Sequence, residues 1–276
     1  MTDPKSGNYK WFVLTILTVV YAFNFIDRQI LVILQEPIKA ELGLSDTQLG
    51  LLTGFSFAVV YVTAGIPIAW LADRSNRRNI VAASLGVWSV MTALSGMVQN
   101  YTQLLLARLG VGLGEAGGSP PSHSMLSDYF PEEQRGTALS IYTTGIYLGI
   151  FFGYFAGGWI ADTYGWRNAF FIVGIPGVVL AFLLLLLVRE PPRTVLPNTV
   201  ENEKASFKET IAFLLQRPAF WWIALGCSTA SFVGYGNGNF FPSLLIRNYG
   251  LTVTEVGMFM GVISGTTGML GTFLGG

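Results

Sequence analysis

The sequence predicts an all-α membrane protein that crosses the bilayer eight times, and three observations carry that reading. Hydrophobic residues make up 51% of the 276-residue chain and charged residues only 12%, against about 25% charged in soluble domains. Apolar stretches of about 20 residues, the length that spans a bilayer, fall at 11–34, 47–71, 79–98, 101–126, 136–161, 168–188, 219–246 and 254–276. The 33 glycines and the 14% aromatic content suit closely packed membrane helices with aromatic residues at the interfaces.

The same composition excludes several function classes. The formal net charge is zero, so nothing favours nucleic acid as a partner. The one cysteine, Cys227, rules out an internal disulfide or a multi-cysteine metal site. It is expected to pack as a small hydrophobe in its apolar stretch. There is no glycine-rich phosphate loop followed by lysine, so the chain is not read as an ATP-driven pump. No set of nucleophile, base and metal ligands points to an enzyme, no cofactor is expected, and the lone His123 is assigned no role. The polar start, MTDPKSGNYK, lacks the short apolar core and cleavage site of a signal peptide, so the first span is read as retained.

Orientation follows from the basic residues. With the amino terminus in the cytoplasm, eleven of the sixteen Lys and Arg residues fall in cytoplasmic segments and three, Lys39, Arg167 and Arg247, on the outside. That asymmetry is the positive-inside pattern. Most loops are short. The exception runs from Arg189 to Pro218, rich in proline and charge, with a short amphipathic surface helix expected over 205–216. Residues 1–190 therefore read as a six-helix bundle, 191–217 as a cytoplasmic linker, and 218–276 as the first two helices of a second bundle. Six spans, a charged linker and further spans is the layout of a two-half transporter. Because the second half stops after two spans, the chain is expected to be a fragment, about eight of twelve helices, whose partners include the missing helices of its own fold.

The most informative residues are charges where charges are costly. Asp27 and Arg28 sit in the first span, within NFIDRQI, and Arg108 and Glu115 in the fourth, within ARLGVGLGEAGG. Each buried charge costs at least about 2.5 kcal/mol. Arg108 and Glu115 are two turns apart on one helix face, separated by about 10 Å, too far for direct contact. Asp27 and Arg28 diverge by about 100° around the axis, so one of them is expected to point fully inward. A carboxyl whose cationic partner changes between two conformations takes up and releases a proton. The cluster therefore points to proton coupling, with the proton gradient as driving force. In the fifth span, Gly145, Gly149, Gly153 and Gly157 form a narrow stripe that admits a close neighbouring helix. Pro120 and Pro121 interrupt the fourth span. The run GYGNGNFFPS, from Gly234 to Ser243, is expected to break the seventh span and to make an outer gate or cavity contact at Asn237 and Asn239.

The loop Leu71-Ala72-Asp73-Arg74-Ser75-Asn76-Arg77-Arg78 resembles the signature loop of the major facilitator superfamily, with Ala69 and Asn76 standing where glycines are usual. Asp128, at the end of span four, matches that family's acid. The resemblance implies a major facilitator fold, here incomplete, and a gating role for Asp73, Arg77 and Asp128 in a latch that favours the outward-open state. The glycine stripe is similar to the span-five motif of antiporter-like branches, without its Gly-Pro pair. NFIDRQI, RLGVGLGEAGG, SDYFPEEQRG and YGWRNAFF together resemble the spinster-like branch over roughly residues 15–190. That likeness implies coupling by Asp27 and Glu115 and substrate binding by Arg28 and Arg108. The expected function is a proton-coupled secondary transporter, multi-pass in the cell inner membrane, for an amphipathic organic anion of lysolipid or sphingoid-phosphate type. The same charge set occurs in the sugar-acid symporter branch, which stands as the alternative. A non-transporting receptor or scaffold is the rival of another class, and the buried acids count against it.

Overall fold

The computed structural model describes residues 7–193 and 212–275. The described residues form helices and turns, with no strand among them. The first span is α1 (Gly7–Ile33), extended past a turn at Leu34 by α2 (Gln35–Leu42). The second is α3 (Asp46–Gly50), a π-helical turn at Leu51–Phe55, and α4 (Ser56–Ala72). The third is α5 (Arg77–Ser95). The fourth is divided into α6 (Tyr101–Glu115) and α7 (Ser119–Tyr129), with Pro120 and Pro121 in the first turn of α7, where their missing N–H groups do no harm. Then come α8 (Glu132–Tyr164), α9 (Trp166–Leu187), α10 (Pro218–Tyr249) and α11 (Val253–Gly275).

Four segments, Gly7–Ile33, Asp46–Ala72, Glu132–Tyr164 and Trp166–Leu187, are long and apolar enough to cross a membrane on length and composition alone. The others run beside them: α5 packs on α6 and α9, and α11 packs along α8. The amphipathic helix expected over 205–216 falls largely outside the described residues.

Local signals set the ends. Ser45 and Gln48 form a reciprocal capping box at α3. Asn76 and Asn100 cap α5 and α6 through the backbone N–H groups of Asn79 and Gln103, each at 3.0 Å. One end of the bundle carries Arg74, Arg77, Arg78, Arg189 and Arg193 in or beside its turns, and is called the basic end below. The opposite end turns at Gly43, Gly165 and Gly250, whose φ angles of 64°, 85° and 67° favour glycine.

The glycine stripe does what its spacing predicts. A Cβ at Gly145 would lie 2.6 Å from the Thr18 carbonyl oxygen, and one at Gly153 would lie 2.8 Å from Gln29 Cβ. Gly149 lies against Ala22 and Phe25 in the same way. The α1 backbone therefore rests directly on α8. Trp88, fully buried, fills the equivalent role between α5 and Gly114 and Gly118.

Two expectations need correction. Span seven is one continuous helix of 32 residues through Pro242, not a broken one. In hydrocarbon a segment keeps its internal backbone hydrogen bonds, and glycines alone do not force a break. Cys227 is exposed, not packed, because the first half of α10 stands clear of the other described helices.

Gly149→Leu should push α1 off α8 and destabilise the fold by about 1–3 kcal/mol or more. Thermal unfolding in detergent would show this as a lowered melting temperature. Gly136→Ala, where a Cβ meets nothing within 4 Å, should leave it unchanged.

Candidate functional site

The four buried charges meet at the centre of the bundle. Arg28 Nε donates to Glu115 Oε2 at 2.7 Å, joining α1 to α6. Glu115 is fully buried and the Arg28 side chain is 16% exposed, so Arg28 is the member that reaches open space. Three ring faces surround its guanidinium: Phe57 at 4.8 Å, and Phe25 and Tyr61 at 5.1 Å. Arg108 lies 5.5 Å from the centre of the same Phe57 ring. These stacked cations are held by π faces as well as by charge.

Asp27 points the other way. It is 1% exposed, with Arg108, Glu115 and Thr92 as its charged and polar neighbours. No donor among the described residues meets hydrogen-bond geometry with either of its oxygens, and Glu115 Oε1 and Arg108 Nε are likewise unpartnered. Sequence spacing placed Arg108 and Glu115 on one face without contact. The structure agrees: Glu115 pairs with Arg28 rather than with Arg108.

At the basic end Arg77 is 2% exposed and gathers four partners. Its Nη1 donates to Asp128 Oδ2 at 2.5 Å and to Ser124 Oγ at 2.8 Å. Its Nε donates to Glu190 Oε1 at 2.7 Å, and its Nη2 to the Pro191 carbonyl at 3.1 Å. Glu190 also accepts from the Arg78 backbone N–H at 2.9 Å, capping α5. Arg193 donates to the carbonyls of Ala72, Asp73 and Ser75. The start of the linker is thus strapped onto the 73–76 turn. Of the three expected gate residues, Arg77 and Asp128 are joined. Asp73 is exposed, and its carboxylate makes no ion pair among the described residues.

The opposite end is closed across the two halves. Gln35 Nε2 donates to the Asn239 carbonyl at 2.6 Å, and Asn239 Nδ2 to the Thr53 carbonyl, within the π turn, at 3.4 Å. Pro242 and Ser243 are buried there, while α10 from Pro218 to Asn237 is almost wholly exposed. Asn239 is therefore a contact between the halves; Asn237 is exposed and has no hydrogen bond among the described residues. Arg247 donates to Glu36 at 2.9 Å and to Asp46 at 2.6 and 3.0 Å. Arg247 and Lys39 hold the Asp46 carboxyl well below the usual carboxylate range.

The sequence matches the profile described as "Major Facilitator Superfamily" from residue 17 to 276. The chain belongs to that superfamily. Its relatives place it in the spinster-like branch. A crystal structure titled as a bacterial homologue of the human lysosomal transporter spinster, inward-facing and unoccupied, matches with TM-score 0.88 and 37% identity. The match covers 98% of this chain and 62% of that one. An "MFS-type efflux pump" of Mycolicibacterium smegmatis is 37% identical over 275 residues, which is 99% of this chain and 63% of that protein. A "probable galactarate/D-glucarate transporter" of Bacillus subtilis is 27% identical over 297 residues, 99% of this chain and 65% of that protein. This superfamily chain therefore spans somewhat under two thirds of each relative's length, within a family of multi-pass membrane transporters.

Sequence reasoning missed Glu190 and Arg193, though REPPR directly after an apolar run was a visible signal. It also left Arg247, Glu36 and Asp46 unassigned, because their meeting depends on segments some 200 residues apart.

Arg77→Met would leave Asp128 and Glu190 facing each other without their cation. It should destabilise the protein by about 3 kcal/mol, the lower end for a broken buried pair because both acids keep some contact with water. Thermal unfolding of the two variants side by side would check this, since Asp73→Asn should cause no loss.

Proposed function

We propose that the complete protein is a proton-coupled transporter of an amphipathic organic anion, with Arg28 and Arg108 as the anion-binding groups and Asp27 and Glu115 as the proton carriers. The observation that carries this is the buried Arg28–Glu115 pair, whose cation also touches open space. Adding a proton to Glu115 removes the anion that faces Arg28. The guanidinium is then free for an anionic head group, so proton and substrate bind together rather than in competition. Asp27, sealed behind the same helix, is the second acid whose partners change if the halves move.

The rings of Phe25, Phe57, Tyr61 and Tyr21 around and beside Arg28 favour a substrate with an apolar body. The basic end is read as cytoplasmic, with the protein in the inner membrane and its amino terminus inside. The contacts that close the far end across the halves support an inward-facing state. In this reading the Arg77–Asp128–Glu190 cluster, with Asp73, makes up the cytoplasmic gate, and Asn239 part of the outer one.

The test is reconstitution of the full-length protein in liposomes containing a pH-sensitive dye. A gradient of lysophospholipid or sphingoid phosphate should move protons, and Glu115→Gln should abolish that movement. Proton movement with a hexarate alone would shift the substrate to the sugar-acid class and keep the coupling site. Undiminished coupling in the Asp27→Asn/Glu115→Gln double variant would overturn the coupling assignment.

The far-end pairs make a second, separable prediction. A carboxyl held below its ordinary pKa of about 3.9 contributes fully above that value and loses its contribution only as pH falls through the lower folded value. In the Asp27→Asn/Glu115→Gln background, far-end opening measured by spin-label distances should therefore be flat between about pH 5 and 8.

A further inference from the structure

The charges that close the far end are not equivalent, because one of them has partners in both halves. Glu36 and Lys39 lie on α2, and Asp46 is the first residue of α3. Arg247 lies in the last turn of α10. Asp46 Oδ1 accepts from Lys39 Nζ at 2.7 Å and from Arg247 Nη2 at 2.6 Å. The Lys39 pair stays within the first half, and the Arg247 pairs cross to the second. Any opening of the far end takes Arg247 away from Asp46 and leaves Lys39 where it is.

We propose that Lys39 is an exchange partner that sets how readily the far end opens. It acts in two ways with one sign. In the closed state two cations share one carboxylate oxygen, so Lys39 repels Arg247 and loosens the clamp. Once Arg247 has left, Lys39 keeps Asp46 paired, so the open state does not carry a lone carboxylate there. Glu36 has no such second cation among the described residues. Its pair with Arg247 therefore holds the end shut without relief. Lys39, Asp46 and Arg247 are 30%, 52% and 34% exposed as side chains, so these are shifts of population, not of fold. The proposal rests on the alternating movement of the two halves; it does not depend on which substrate is carried.

The experiment uses the full-length protein with Cys227→Ser. Spin labels go on Thr47→Cys and Tyr249→Cys, both exposed at the far end on opposite halves. The share of long distances reports the open far end. Arg247→Met and Glu36→Gln should each raise that share about two- to five-fold, the range set by partly exposed pairs. Lys39→Met should lower it by a similar factor, and Lys39→Arg should restore it. If Lys39→Met raised the share as Arg247→Met does, Lys39 would be one more bolt of the clamp and the exchange role would be wrong. No change in Lys39→Met would equally overturn it. If Lys39→Met lowers the share but coupled transport is absent in the parent protein, the exchange role stands and the substrate and coupling reading fails.

Discussion

An apolar bundle that encloses ionisable groups must compensate them, and the Arg28–Glu115 contact is where this chain does so. It ties the first span to the fourth at a depth where Glu115 is fully enclosed and only Arg28 keeps a small opening. Its neighbours follow from the same demand. Three ring faces cover the guanidinium planes that the carboxylate leaves bare. Arg108 also lies over the Phe57 ring and within reach of Asp27. The four charges sum to zero, so the cluster is neutral as a whole yet under-bonded in detail, with open valences on Asp27, Arg108 and Glu115. A neutral but unsatisfied cluster is responsive: a proton or an anion added at any member changes which pair is best.

The two ends of the bundle are held by different means. At the basic end the contacts lie within the first half. Arg77 is buried, and the linker residues Glu190 and Arg193 bind the turn between spans two and three. At the far end the contacts run between the halves, and their charged members are partly exposed. Buried networks rigidify, whereas partly exposed pairs are individually weak. The basic-end cluster thus fixes the shape of one half, and the far-end cluster fixes how the halves stand relative to each other.

Much of this was legible in the sequence, for reasons that can be named. Span limits came from apolar length, and the second span, expected at 47–71, is observed as 46–72. The stripe at Gly145, Gly149, Gly153 and Gly157 was legible because helical periodicity turns spacing into a face. The buried charges stood out because hydrocarbon makes them costly. What was not legible had other causes. The α2 extension, QEPIKAEL, is polar, so apolar length ended span one too early. Pro37 lies in its first turn, where it does no harm. The run from Gly234 to Ser243 looked like a break because glycine and proline are breakers in water, a rule that lipid weakens. The partners of Arg247 could not be read at all, since nothing local in the sequence couples residue 247 to residues 36 and 46.

The long helix α8 links these features. One face carries the glycine stripe against α1, and the other meets α11, where Gly257, Gly261, Gly265 and Gly268 lie on Tyr154, Phe151 and Tyr147. The α1 face is backbone on backbone at Gly145 and Gly149, and Gly157 meets the side chains of Ile30 and Ile33. It leaves no room for a side chain, and so none for rearrangement. The α11 face is as close: Gly257 and Gly261 lie on the carbonyl groups of Tyr154 and Phe151, and Gly265 and Gly268 meet the side chains of Phe151 and Tyr147. Both faces of α8 therefore bring helix backbones into direct contact, the approach that small residues allow. At the far end Thr254 of α11 also donates to Asp162 of α8, and the Gln35–Asn239 bond and the ion pairs of Arg247 tie α10 to the first half. Close packing on both sides of α8 therefore sets where α1 and α11 lie, while exchangeable charged pairs hold α10 at the far end.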